Sequence, residues 1–125
     1  MPSLTIVRGQ NEGDYYPLGK RTMVIGRQEG CPIQVVDDRV SRRHVQIRYD
    51  EADGSYHLLD MKSANGTFLN GRKVETDIAL RDNDEIEIGG SKMIFSETDF
   101  PDRSSALAHF KKQGERSRPT IEGGR

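Results

Sequence analysis

A chain of 125 residues has the length of one domain, and with 33% of it apolar it can fill one modest core and not two. Charged residues make up 31%, yet the formal net charge is −1, which argues against a surface that coats nucleic acid or anionic membrane throughout. The balance is not local. From Lys20 to Arg48 seven Lys or Arg face three acids, a sum of +4, and from Glu75 to Glu87 six acids face Arg81 alone, a sum of −5.

The opening MPSLTIVRG holds too short an apolar run for a signal peptide. No stretch approaches the roughly 18 apolar residues of a membrane span. Cys31 stands alone and cannot form an internal disulfide. A soluble, cytoplasmic protein is therefore expected, and in a reducing compartment the Asn65-Gly66-Thr67 triplet is not read as a glycosylation site.

In chain order, apolar residues recur with a period of two. Leu4 and Ile6 alternate, then Val45, Ile47 and Tyr49, then Tyr56 and Leu58, then Ile86 and Ile88. A short apolar strand, TMVIGR, lies between the first two sets. Asp53-Gly54 predicts a hairpin between strands over 44–49 and 55–60. NEGD, RQEGCP, SANGT, LNGR, LRDNDE and IGGSK punctuate the rest. Many short strands with Gly and Asn at the joints imply an all-β fold, an antiparallel β-sandwich, over residues 1–97. Residues 98–125 read as a tail. A short helix is expected from about 104 to 113, capped by Asp102 or Ser104, with Leu107 and Phe110 on one face and Gly114 as its stop; a polar linker follows.

The chemistry is concentrated in VSRRHVQI, Val40 to Ile47. Ser41 and His44 lie three apart, a spacing that tends to point side chains to opposite faces of an extended chain. No Gly-x-Ser-x-Gly elbow surrounds the serine, so no catalytic role is assigned. His44, His57 and His109 are scattered and Cys31 has no paired thiol, so neither a metal nor a cofactor is expected. His57 reads as a half-buried strand residue. Arg39, Arg42 and Arg43 lack the interleaved aromatics that stack on bases, and nucleic acid is not the expected partner.

A phosphate group fits better. It carries roughly −1.5 to −2 charge at pH 7 and three strong acceptor oxygens, and it suits a guanidinium fork, a hydroxyl and backbone N–H groups presented by loops on a stiff sheet. Arg27 follows an apolar strand, with Gly26 leaving room for close backbone approach. Ser41 and Arg42 sit on a second loop and Asn65-Gly66 on a third.

The series Gly26-Arg27, Ser41-Arg42-x-His44, Ser63-x-Asn65-Gly66-Thr67 and Asn70-Gly71, in this order over about residues 4–96, resembles the forkhead-associated (FHA) domain family. The resemblance implies an eleven-stranded sandwich that binds phosphothreonine peptides at one end, in proteins that recruit or regulate partners of Ser/Thr kinases. It implies that Arg27 and Ser41 hold the phosphate, that Arg42 adds a cationic or backbone contact, and that Asn65 bonds the peptide backbone. Gly26, His44, Ser63, Gly66 and Thr67 are expected to support the loops. Asn70-Gly71 is expected to be a structural turn.

One position departs from the family pattern. The residue before Asn65 often bears a hydroxyl that helps hold the phosphate, and here it is Ala64. Ser63 or Arg42 could compensate. The alternative is a protein-interaction sandwich that has lost phosphate binding. Thr120, after a basic stretch, offers self-recognition of a phosphorylated tail.

Overall fold

The computed structural model describes residues 2–97. The predicted tail, with its helix over 104–113, its caps and Thr120, lies outside the described residues. These residues form eleven strands: β1 (Ser3–Arg8), β2 (Tyr15–Pro17), β3 (Met23–Gly26), β4 (Ile33–Gln34), β5 (Val45–Asp50), β6 (Ser55–Asp60), β7 (Thr67–Leu69), β8 (Arg72–Lys73), β9 (Ile78–Ala79), β10 (Glu85–Ile88) and β11 (Ser91–Ser96). They make two sheets, ordered β2-β1-β11-β10-β7-β8 and β4-β3-β5-β6-β9. The expected all-β sandwich is the fold found.

Alternation sorts each strand between core and surface. Leu4, Ile6, Ile86, Ile88, Met93 and Phe95 from the six-stranded sheet meet Ile25, Ile33, Val45, Ile47 and Leu58 from the five-stranded one, all with 0–1% exposure. Each such side chain contributes about 1.5–3 kcal/mol of burial, so the facing pattern holds the two layers together. Tyr56 closes one edge of this core, edge-on to Tyr49 at 5.2 Å between ring centroids and 5.7 Å from Phe95.

The hairpin at Asp53-Gly54 is present, with strands at 45–50 and 55–60. Gly54 takes φ +70° and its N–H returns to the Asp50 carbonyl at 2.8 Å. Asn70 and Gly71 both adopt positive φ, 51° and 86°, the conformation of a tight hairpin turn. The Asn70 amide is spent on Asp84 and on the Glu85 N–H, so this pair is structural, as expected.

One pairing departs from the antiparallel expectation. β3 and β4 run parallel, Ile25 opposite Ile33 and Gly26 opposite Gln34. The loop over 27–32 therefore leaves the end of β3 and doubles back alongside it. Three chain segments, 27–32, 35–44 and 61–66, gather where β3 ends, β5 begins and β6 ends.

Candidate functional site

Gly26 begins the rim. A β-carbon there would overlap the Arg42 carbonyl oxygen and lie 2.8 Å from its carbonyl carbon, so only glycine lets the first loop lie against the second. The approach is fixed by the Arg27 N–H on the Ser41 carbonyl at 3.0 Å and the Gln28 N–H on the Arg42 carbonyl at 3.1 Å. The Arg27 side chain then lies along the second loop. Its Nε donates to the Val40 carbonyl at 3.0 Å, which aims the guanidinium and leaves its terminal nitrogens for a ligand.

His44, fully buried, joins the second loop to the third. Its Nδ1 accepts the Ser41 N–H at 3.0 Å, so the ring proton is on Nε2, which donates to the Gly66 carbonyl at 2.7 Å. The imidazole thus meets the Ser41 amide and not its hydroxyl; the pair is not built as nucleophile and base. Ser41 Oγ instead accepts the Ala64 N–H at 3.0 Å, leaving the hydroxyl proton to donate outward. Asn65 donates through Nδ2 to the Arg39 carbonyl at 2.8 Å. Its Oδ1 and second N–H have no partner among the described residues, and they are the groups a peptide backbone could use.

Arg42 and Arg43 are exposed. Among the described residues no carboxylate pairs with Arg27, Arg42 or Arg43, and the Arg42 N–H has no acceptor. Arg39 lies 3.7 Å from Asp37. The expected residues Arg27, Ser41, Arg42 and Asn65 are therefore brought to one end of the sandwich, presenting donors and positive charge.

The supporting residues have a centre that sequence reasoning missed. Asp60, at the end of β6, accepts Ser63 Oγ and Thr67 Oγ1, each at 2.6 Å, and the Ser63 N–H at 3.0 Å. Burial opposes its charge, but these donors outweigh burial and hold its pKa below the usual carboxylate value. Ser63 Oγ also accepts the Gly66 N–H at 3.0 Å. Ser63 is thus committed to shaping the loop and is not free to replace the hydroxyl missing at Ala64. An Asp three residues before a Ser is a turn signal legible in sequence; its bond to Thr67 is not.

Asp37 was missed too. It accepts the Arg39 N–H at 2.9 Å and the Gly90 N–H at 2.8 Å, pinning the second loop to the β10–β11 turn. The Arg39 N–H is the main cause of its lowered pKa, burial opposes it, and the Gly90 N–H adds to it.

The opposite end is wired differently. His57, half-buried on β6 as expected, faces Asp77 Oδ1 at 2.6 Å and Asp53 Oδ2 at 2.8 Å, and Arg48 joins Asp77 at 2.7 Å. The hydrogen bond that His57 donates to the Asp53 carboxylate raises the His57 pKa; burial lowers it, and Asp77 raises it further. Asp50, Asp53 and His57 bring ligand atoms within 4.8 Å of one another, and these ion pairs account for that grouping.

The FHA domain family model matches residues 23–89, just over half of the chain and the segment that carries all three loops. The chain belongs to the FHA domain family. Among FHA relatives, it is 36% identical over 94 residues to an oxoglutarate dehydrogenase inhibitor of Corynebacterium diphtheriae, covering 75% of this chain and 64% of that protein. To the glycogen accumulation regulator GarA of Mycolicibacterium smegmatis it is 34% identical over 92 residues, covering 74% and 56%. The chain thus spans less than two thirds of the length of these relatives. Its fold matches an FHA structure from work on phosphothreonine-dependent FHA interactions, with a TM-score of 0.69 and 31% identity over 79% of this chain and 98% of that one. It also matches the FhaA FHA domain complexed with the intracellular domain of Rv3910, with a TM-score of 0.67 and 33% identity over 76% and 99%. No helix of the described residues is long and apolar enough to cross a membrane.

Proposed function

We propose that this FHA domain reads phosphothreonine in partner proteins, and so recruits or regulates them downstream of a Ser/Thr kinase, performing no chemistry itself. The observation that carries the reading is the state of the donors at the rim. The Arg27 terminal nitrogens, the Ser41 hydroxyl proton and the Arg42 N–H belong to two adjoining loops at one end of the sandwich, and among the described residues no carboxylate pairs with Arg27 or Arg42. A phosphate dianion would satisfy all of them at once, Arg27 and Ser41 on its oxygens and Arg42 adding charge or its amide. Asn65, anchored to Arg39, would bond the peptide backbone beside the phosphothreonine. Gly26, His44, Ser63, Gly66 and Thr67 keep the loops in register for this.

Relatives that inhibit an oxoglutarate dehydrogenase or regulate glycogen accumulation fit a protein that acts by binding. A second reading, a sandwich that has lost phosphate binding, has one observation in its favour: Ala64 lacks a hydroxyl and Ser63 is occupied elsewhere. A phosphorylated Thr120 would compete for the same rim and would lower the affinity for added peptide.

Calorimetry on Arg27→Ala separates the readings. Charge-assisted bonds contribute about 1.5–3 kcal/mol each, so a phosphothreonine peptide bound at micromolar Kd should weaken by about a hundredfold or more. The unphosphorylated peptide should not bind at all. An affinity untouched by Arg27→Ala, or equal for the two peptides, defeats phosphate recognition.

A further inference from the structure

Lys62, in the third loop, holds a backbone conformation that suits it poorly. Among the described residues three non-glycine positions take positive φ: Lys62 at 57°, Asn70 at 51° and Asn83 at 70°. Asparagine tolerates this region, whereas lysine carries its steric cost without a local hydrogen bond to offset it. Such a cost persists where the surrounding structure imposes it, and it gathers at binding sites. Here the register imposes it. β5 and β6 pair as far as Val45 opposite Asp60. The same register runs on past the strand ends, with the Met61 N–H on the His44 carbonyl at 2.9 Å and the Ala64 N–H on Ser41 Oγ at 3.0 Å. Lys62 therefore stands across from Arg43.

Both residues are exposed, and neither side chain has a carboxylate or hydrogen-bond partner among the described residues. Arg43 lies on the outward side of the five-stranded sheet, where it lines a cleft of about 80 Å³ with Val24 and the first-loop residues Gln28, Gly30, Cys31 and Pro32. Farther along that face Arg48 and His57 are paired with Asp77 and Asp53. The cations are spent at the far end and unspent beside the rim.

We infer that Lys62 and Arg43 form a second anion subsite, taking an acidic or phosphorylated side chain of the partner on the flank that leads away from Asn65. This subsite rests on phosphothreonine recognition at the rim. Ala64 marks the phosphate, because its N–H holds the Ser41 hydroxyl. Asn65 follows it on one side, and Lys62 precedes it on the other. The step from Ala64 to Lys62 covers at most about 7 Å, and an extended peptide rises about 3.3 Å per residue. The matching anion is therefore about two or three residues from the phosphothreonine. A carboxylate or a phosphate there would accept from both cations.

Calorimetry on the full chain tests this with phosphothreonine peptides that have neutral flanks, or aspartates at the second and third residues before the phosphothreonine, or the same after it. The expected result is that one acidic flank tightens binding by about fivefold or more. In the double variant Lys62→Gln and Arg43→Gln that gain should vanish, while the neutral peptide changes by less than about twofold. Lys62→Gly, which relieves the positive φ, should lose most of the gain too, so that the loss cannot be put down to a strained loop. Phosphoserine in place of the aspartates separates the sources: a gain with either anion supports a charge subsite, and a gain with phosphoserine alone supports a second phosphate. Neutral and acidic peptides that bind equally well overturn the inference and leave phosphothreonine recognition standing. So does a gain that survives the double variant, or an equal loss for all peptides, which would make the two cations a general field. A neutral-flanked phosphothreonine peptide that binds no better than its unphosphorylated form defeats phosphothreonine recognition itself, and the subsite with it.

Discussion

The two ends of the sandwich use the same residue types for opposite purposes. At the hairpin end Arg48 lies between Asp77 and Asp50, and His57 between Asp53 and Asp77, so the charges are spent on one another. At the loop end the Arg27 side chain is held by the Val40 carbonyl, a neutral acceptor that fixes its direction without cancelling its charge. The acids nearby, Asp37 and Asp60, are turned inward onto backbone N–H groups and hydroxyls. A charge network that closes on itself holds strands together. One that leaves its cations oriented and unpaired is prepared for something from outside, and this difference supports the proposed placement of the ligand at one end.

The largest way to disturb that difference, after removing Arg27, is to remove the brace beneath it. His44→Ala would leave the Ser41 N–H and the Gly66 carbonyl without their partner and open a cavity at a fully buried position. A cost of about 2–4 kcal/mol in chemical denaturation is expected. Affinity for a phosphothreonine peptide should also fall tenfold or more, because the loops carrying Ser41 and Asn65 would no longer share a fixed spacing. A loss of stability with an unchanged Kd would make His44 a fold residue only.

The smaller change is at Ala64. Its N–H already holds Ser41 Oγ, and its side chain is exposed at the rim. Ala64→Thr should add a hydroxyl within reach of the phosphate and tighten binding by up to about tenfold, roughly 1.4 kcal/mol, with little change in melting temperature. Weaker binding in that variant would mean that the ligand passes closer to the third loop than the free hydroxyl allows.

Much of this architecture is legible in the sequence, for a local reason. Alternation at Leu4–Ile6, Val45–Tyr49 and Ile86–Ile88 fixes which side chains face inward whatever the topology, and Asp53-Gly54 and Asn70-Gly71 specify their turns by backbone conformation alone. Arg27, Ser41 and Asn65 could be picked out as a set, but the bonds that join their loops could not. The contact between Gly26 and Arg42 spans sixteen positions, that of His44 with Gly66 twenty-two, and that of Asp37 with Gly90 fifty-three. Such partners are chosen by strand order, which a local pattern does not encode. The parallel β3–β4 pair escaped for the same reason: two residues are too few to carry a period. Asp60 lies between the cases, since its turn to Ser63 is local and its bond to Thr67 depends on how β7 leaves the loop.

The smallest expected effect sharpens the comparison from the far end. The His57 pKa is raised in the fold, chiefly by its bond to Asp53, with burial opposing and Asp77 adding to it. Below the unfolded value of about 6.5 imidazolium is present in both states, and its pairing with the acids stabilises the fold in full. As pH rises through the higher folded pKa the proton is lost and the contribution goes with it. The carboxylates act in the other direction: Asp53 and Asp77 have lowered pKa values, Asp53 chiefly through the Ser55 N–H and Asp77 chiefly through Arg48. Their share is present above about 3.9 and fades as pH falls through their folded values. The network is therefore strongest between about pH 4 and 6.5. The acids around His57 keep 28–46% of their side-chain surface exposed, so screening keeps the effect small. Between pH 6 and 8.5 the wild-type protein should lose about 2 °C more in Tm than His57→Gln loses over the same range. Peptide affinity at fixed pH should be the same in both, and a Kd that shifts with His57→Gln would show that the two ends are not independent.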